Sequence, residues 1–141
     1  STTAPFVLTP DEYNAIHGEL DADLDPSLDL GMLLPRDRQY DLGDYRRAIR
    51  RLQTLVDVLD ALEVAASQTE GEGDVTLPPS AVSDLRELLP AMATYVIERA
   101  RASEADPREH PEDLASVRAR RTAVLGVADR LGVEIPQPAV A

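Results

Sequence analysis

The feature that most constrains this chain is a run of apolar residues that begins at Leu42, with spacings that alternate between three and four positions. Because an α-helix turns about 100° per residue, this spacing places the whole run along one side of a helix. Its members are Leu42, Tyr45, Ile49, Leu52, Val56 and Leu59, and Leu55 and Leu62 widen the stripe. The run predicts a long amphipathic helix that buries this stripe, begins with Asp41 or Asp44 as its cap and ends near Ala66.

Two more segments show helical periodicity. The first runs from about Ala81 to Ala102, and Pro90 inside it removes one backbone hydrogen bond, which predicts a kink. Its apolar stripe is Val82, Leu85, Leu89, Met92 and Val96. The second begins after Pro111 and ends at Gly132, a residue type typical of helix C-termini.

A short N-terminal helix is also predicted. Thr9 can act as its cap, Pro10 suits the first helical position, and Glu12 completes a capping box. Residues 21–43 are expected to form a long irregular segment, residues 67–79 a mobile hinge, and residues 132–141 a tail. We therefore expect one all-α domain over residues 1–141, a small helical bundle of three long helices plus the short first one.

Composition restricts the function. Twenty-six acidic residues oppose 14 basic ones, all arginine, for a net charge of −12, and there is no cysteine. Phosphate would repel such a chain, which argues against direct nucleic-acid binding. No apolar run is long enough to cross a bilayer, so we expect no membrane insertion and a cytoplasmic protein. A GC-rich genome or a salt-rich cytoplasm accounts for the charge as well as a functional role does.

The aspartates after the first helix form the sharpest local pattern. Asp21, Asp23, Asp25 and Asp29 occupy positions one, three, five and nine of a segment that resembles an EF-hand calcium loop. Pro26 stands where that loop has its glycine, and Met32 stands where it has its bidentate glutamate. These departures favour a solvated acidic loop, and we expect neither a bound metal nor a cofactor.

Four arginines on the predicted second helix are the candidate partner-binding residues: Arg46, Arg47, Arg50 and Arg51. They form two columns of residues four apart, away from the apolar stripe. Arginine binds phosphate and carboxylate groups through paired hydrogen bonds. The alternatives are pairing with acids of residues 11–29 or of another subunit, binding to an acidic protein, and binding to nucleic acid.

A second arginine cluster, Arg118, Arg120 and Arg121, lies on the last helix. Arg121 falls between Val117 and Val124 on the apolar side, where an unpaired charge is costly. Either its aliphatic stem covers the core while its charged head reaches water, or it forms an ion pair across a helix–helix or subunit interface.

Catalytic patterns are absent from the sequence. The only histidines, His17 and His110, are far apart, and no Glu-x-x-His, Gly-x-Ser-x-Gly or glycine-rich phosphate loop occurs. We expect a non-enzymatic helical interaction or structural protein that self-associates or binds a protein partner. The alternative is an acidic inhibitor or nucleic-acid mimic that binds a basic protein surface, and the third possibility is a metal-free enzyme.

Overall fold

The chain forms four helices and a two-stranded ribbon in a computed structural model that describes residues 5–28, 39–69, 71 and 73–135. In chain order the elements are β1 (Phe6–Leu8), α1 (Pro10–Leu28), α2 (Leu42–Ser67), β2 (Val75–Leu77), α3 (Pro79–Ala105) and α4 (Pro111–Arg130). The predominance of helix confirms the all-α class.

The first two helices begin where their capping residues predict. The Thr9 amide donates to Glu12 Oε1 at 2.9 Å, and the Glu12 amide donates to Thr9 Oγ1 at 3.2 Å. At the start of α2, the Asp44 amide donates to Asp41 Oδ1 at 2.9 Å, and the Asp41 amide donates to Asp44 Oδ2 at 3.0 Å. Each capping box satisfies amides that the helix itself leaves without a partner.

The prediction of a short first helix and an irregular segment over residues 21–43 was wrong for residues 21–28, which belong to α1, and for Leu42, which begins α2. Carboxylates near a helix C-terminus oppose the helix dipole. Here tertiary contacts offset that cost, because Asp23 Oδ2 accepts a hydrogen bond from Arg51 Nη2 at 3.1 Å and Leu24 packs against the core. Residues 29–38 lie outside the described part of the chain.

The hinge predicted over residues 67–79 contains a strand. β2 pairs antiparallel with β1, with Leu8 opposite Val75 and Phe6 opposite Leu77. A two-stranded ribbon is marginal alone, but Leu8, Val75 and Leu77 are all buried. Arg130 at the end of α4 connects that helix to β1, because its Nη1 donates a hydrogen bond to the Val7 carbonyl at 2.9 Å. Strands of three residues are too short for an alternating pattern to reveal them.

The core lies between the four helices and the ribbon. Its most completely buried large side chains are Leu8, Ile16, Leu55, Val58, Leu62, Leu77, Leu85, Leu89, Val124 and Val127. On α3 the predicted stripe is confirmed at Leu85, Leu89, Met92 and Val96. Pro90 lies within α3, and a kink there stays a prediction.

Helix α4 ends at Arg130, and Gly132 stops it two residues later, as predicted. Gly132 has a positive φ of 66°, a conformation in which glycine carries no Cβ penalty. The Val133 amide donates to the Ala128 carbonyl at 2.9 Å, and the Gly132 amide donates to the Asp129 carbonyl at 3.0 Å. This is a Schellman arrangement, which satisfies carbonyls of the last turn.

The face that α2 turns to the core is only partly the predicted one. The buried residues of this helix are Asp44, Ala48, Leu55, Val58, Leu59, Leu62 and Ala65. Of the predicted stripe, Leu59 and the widening residues Leu55 and Leu62 are buried, whereas Leu42, Tyr45, Ile49 and Val56 are exposed. The two sets point roughly 120° apart around the helix axis, so burying one leaves the other outside.

Neighbouring residues on α2 should therefore respond oppositely to truncation. Leu55 is 0% exposed and Val56 is 44% exposed. We expect Leu55→Ala to lower the free energy of unfolding by about 2–5 kcal/mol, because it leaves a cavity. We expect Val56→Ala to change it by less than about 1 kcal/mol. Urea denaturation measures both, and an equal or larger loss for Val56→Ala would contradict the observed orientation of α2.

Candidate interaction surface

The candidate site is the solvent-facing side of α2. Its outer stripe consists of Leu42, Tyr45, Ile49 and Val56, which are 72%, 41%, 51% and 44% exposed. Single exposed apolar residues are common on proteins, whereas large ones that recur along one line of one helix are typical of a contact surface. Leu52, half-buried between the outer stripe and the core, makes the apolar surface continuous.

Two of the four candidate arginines are held by acids of the same chain. Arg47 Nη2 lies 2.5 Å from Oδ1 of Asp44, whose side chain is almost fully buried. Arg51 Nη2 lies 3.1 Å from Oδ2 of Asp23, so this pair joins α2 to α1. Both arginines border the buried face of α2, which is why carboxylates are within their reach.

The other two candidate arginines are free within the described residues. Arg46 and Arg50 are exposed, and neither contacts a carboxylate in the described ranges. Because successive residues are about 100° apart around a helix axis, Arg46 and Arg50 lie on the same flank of the outer stripe. The structure thus divides the four candidates into an inner pair held by carboxylates of the fold and an outer pair beside exposed apolar surface.

The residues of the calcium-loop interpretation do not form a loop. Asp21, Asp23 and Asp25 lie on α1, and Asp29 lies outside the described residues. Alternate residues of a helix point about 200° apart, so Asp21 and Asp23 diverge where a calcium loop would bring its oxygens together. Asp23 is instead held by Arg51.

A buried carboxylate links three helices behind this surface. The Glu19 side chain of α1 is only 5% exposed, and its Oε1 lies 3.5 Å from Arg99 Nη1 of α3 and 3.4 Å from Arg120 Nη1 of α4. Arg120 lies across Gly18, where an added Cβ would come within 3.0 Å of its guanidinium. Glycine at this position lets the arginine approach α1 closely enough to pair with Glu19.

A cavity of about 350 Å³ opens beside Glu19. Leu20, Leu88, Met92 and Tyr95 supply its apolar wall, and the charged groups at its edge include Glu19, Asp23 and Arg51. These three are already in ion pairs with protein side chains. The cavity therefore has apolar surface to offer a ligand, while the charged groups at its edge act chiefly within the fold.

The second arginine cluster packs α4 against α3. Arg121 Nη1 donates to Glu104 Oε1 at 2.7 Å, and Arg118 Nε lies 3.7 Å from the same oxygen. Of the two interpretations of Arg121, the structure shows the ion pair between helices. The hydrogen bond from Arg121 lowers the pKa of the Glu104 carboxyl below its ordinary 4.5, with a smaller opposing effect of desolvation and further lowering by the charges of Arg121 and Arg118.

His17 joins α1 to α2. Its Nε2 lies 3.3 Å from Glu63 Oε1, and its ring stacks on Tyr13 with 5.6 Å between centroids. Burial raises the pKa of the Tyr13 hydroxyl above 10.0, and the negative charge of Glu63 raises it further. His110, the other histidine, is exposed at the N-cap position of α4.

Comparison of the chain with protein-family models, with curated proteins and with solved structures found no match. Within the described ranges, no helix combines the length and apolar character that a bilayer span requires. The same ranges contain no group of three or more histidine, aspartate or glutamate side chains placed to hold a metal ion.

The ion pair between Glu104 and Arg121 should contribute to the free energy of unfolding at neutral pH and lose that contribution in acid. Because the folded-state pKa is lowered, this contribution is present above the ordinary pKa of 4.5 and is lost as the pH falls through the folded-state pKa. We expect Glu104→Gln to be less stable than the unmodified chain at about pH 7 and to approach it at about pH 3. Glu98→Gln, an exposed position on the same helix, is the matched control. Denaturation curves that show a pH-independent difference for Glu104→Gln would contradict this assignment.

Proposed function

We propose that this chain is a non-enzymatic helical interaction protein that binds another protein, either a second copy or a different chain, through the outer stripe of α2. One observation carries the proposal: four large apolar side chains lie exposed along one line of a helix whose opposite side is fully packed. Other apolar residues already fill the core, so the fold itself does not require apolar side chains along this exposed line.

The geometry of the stripe suits helix recognition. Leu42, Tyr45 and Ile49 stand at relative positions i, i+3 and i+7, the spacing by which an amphipathic helix places anchors in an apolar groove or against another helix. Complete burial of one such side chain is worth about 1.5–3 kcal/mol relative to full exposure. Because the side chains of the stripe are already partly buried, binding gains only a fraction of that burial free energy at each residue.

The distribution of acids supports this proposal over the acidic mimic. A mimic of nucleic acid needs carboxylates aligned on one face, whereas the exposed acids of the described residues occur on all four helices, at Asp21, Asp60, Glu87, Glu112 and elsewhere. An exposed apolar line contributes nothing to a mimic of a phosphate backbone. Protein binding accounts for that line directly.

A single charge placed in the stripe should abolish binding without unfolding the chain. We expect Ile49→Asp to lose the proteins, including copies of the chain itself, that the tagged parent retains from a lysate of its source organism. Burying the new carboxylate in an apolar interface is costly, while Ile49 is half exposed in the free fold. Quantitative mass spectrometry of the retained proteins at physiological and high salt measures the loss.

Tyr95→Asp is the matched control for this experiment, because Tyr95 is 54% exposed on a different helix. It should retain the same proteins as the parent at both salt concentrations. Equal retention by Ile49→Asp and the parent would overturn the proposal, as would a loss of the same partners with Tyr95→Asp. Thermal melts confirm that both variants are folded.

A further inference from the structure

We propose that the protein bound by the outer stripe is a second copy of this chain, and that the two α2 helices pair antiparallel about a twofold axis near Gln53. This inference rests on the proposed function and adds to it the partner, the orientation and the register. It follows from how the apolar and charged residues are distributed on either side of Gln53.

Two pairs of exposed apolar residues are placed nearly symmetrically about that axis. Leu42 lies 11 positions before Gln53, and Val64, which is 47% exposed, lies 11 positions after it. Ile49 lies four positions before Gln53, and Val56 lies three after. In an antiparallel pair, residues at about the same distance from the axis face each other, so Leu42 meets Val64 of the second copy and Ile49 meets Val56.

The charged residues complement one another under the same operation. Arg46 lies seven positions before Gln53 and Asp60 lies seven after it, while Arg50 lies three before and Asp57 lies four after. A twofold axis perpendicular to both helices keeps the same flank of each helix facing its counterpart. At about 100° per residue, all four charged residues lie on the same flank of the outer stripe, with Asp60 nearest its centre and Arg50 farthest from it. Each arginine therefore faces a carboxylate of the second copy.

The four charged residues are available for this pairing. All are exposed, and none has a charged partner within the described ranges. Arg46 and Arg50 stand four apart on the helix, a spacing at which like charges destabilise it. A second copy that brings Asp57 and Asp60 opposite them relieves this repulsion. A parallel pair would instead set Arg46 and Arg50 level with the same arginines of the other copy.

The size of the contact indicates a weak, reversible dimer. Residues 42–64 of a helix extend about 35 Å, and two helices in contact over that length lie at the small end of specific interfaces. We expect a dissociation constant on the order of micromolar, so the monomer–dimer equilibrium falls within reach of sedimentation equilibrium.

Charge reversal tests the arrangement with the full chain. An all-acidic variant carries Arg46→Glu and Arg50→Glu, and an all-basic variant carries Asp57→Arg and Asp60→Arg. Each variant alone should self-associate roughly tenfold or more weakly, because like charges then face each other across the axis. An equimolar mixture should recover association, since every glutamate of one variant faces an arginine of the other. Sedimentation equilibrium of each variant and of the mixture measures these constants.

Arg86→Glu with Arg101→Glu is the matched control, because both arginines are exposed on α3. It should dimerise as the parent does. A parent that stays monomeric up to about millimolar concentration, or variants whose mixture does not re-associate, would overturn the antiparallel dimer. Neither result contradicts the proposed function. Protein binding through the outer stripe is contradicted separately, if Ile49→Asp still retains the parent's partners from the lysate.

Discussion

The burial of one face of α2 is the constraint on which the rest of the structure depends. Leu55, Val58 and Leu62 are fully buried in the core, where α2 packs against α1, α3 and β2. A helix turns about 100° per residue, so fixing that face fixes the direction of every other side chain on α2. The outer stripe is exposed for this reason, although its residues would suit a core equally well.

The same orientation separates the charges of the molecule into two groups. Charges near the core join elements of the fold: Arg51 reaches Asp23 of α1, and Glu19 gathers Arg99 and Arg120 from α3 and α4. A buried carboxylate such as Glu19 is tolerated because two guanidinium groups lie beside it. The charges of α2 that point away from the core, Arg46, Arg50, Asp57 and Asp60, are exposed and have no charged partner among the described residues.

Part of the candidate site could be predicted from the sequence. The spacing of Leu42, Tyr45 and Ile49 identifies an apolar line on a helix, and the arginine columns are visible beside it. The wrong step was to assign that line to the core. Leu55 and Leu62 were predicted only to widen that line, but with Ala48 and Leu59 they form a second apolar set of the same helical spacing, which was the signal for the opposite assignment. Periodicity alone does not rank two such faces, because each would gain free energy from burial.

The sequence by itself determined where α2 begins, where α4 ends and that the domain is mostly helical, because caps, glycine and apolar periodicity act over a few residues. Only the tertiary structure decided that the aspartates after Leu20 continue α1, that residues 75–77 pair with residues 6–8, and which face of α2 is buried. These outcomes depend on contacts between residues distant in the chain, such as Asp23 with Arg51. The free energies of these long-range contacts outweigh local conformational preference, and no pattern of neighbouring residues in the sequence predicts them.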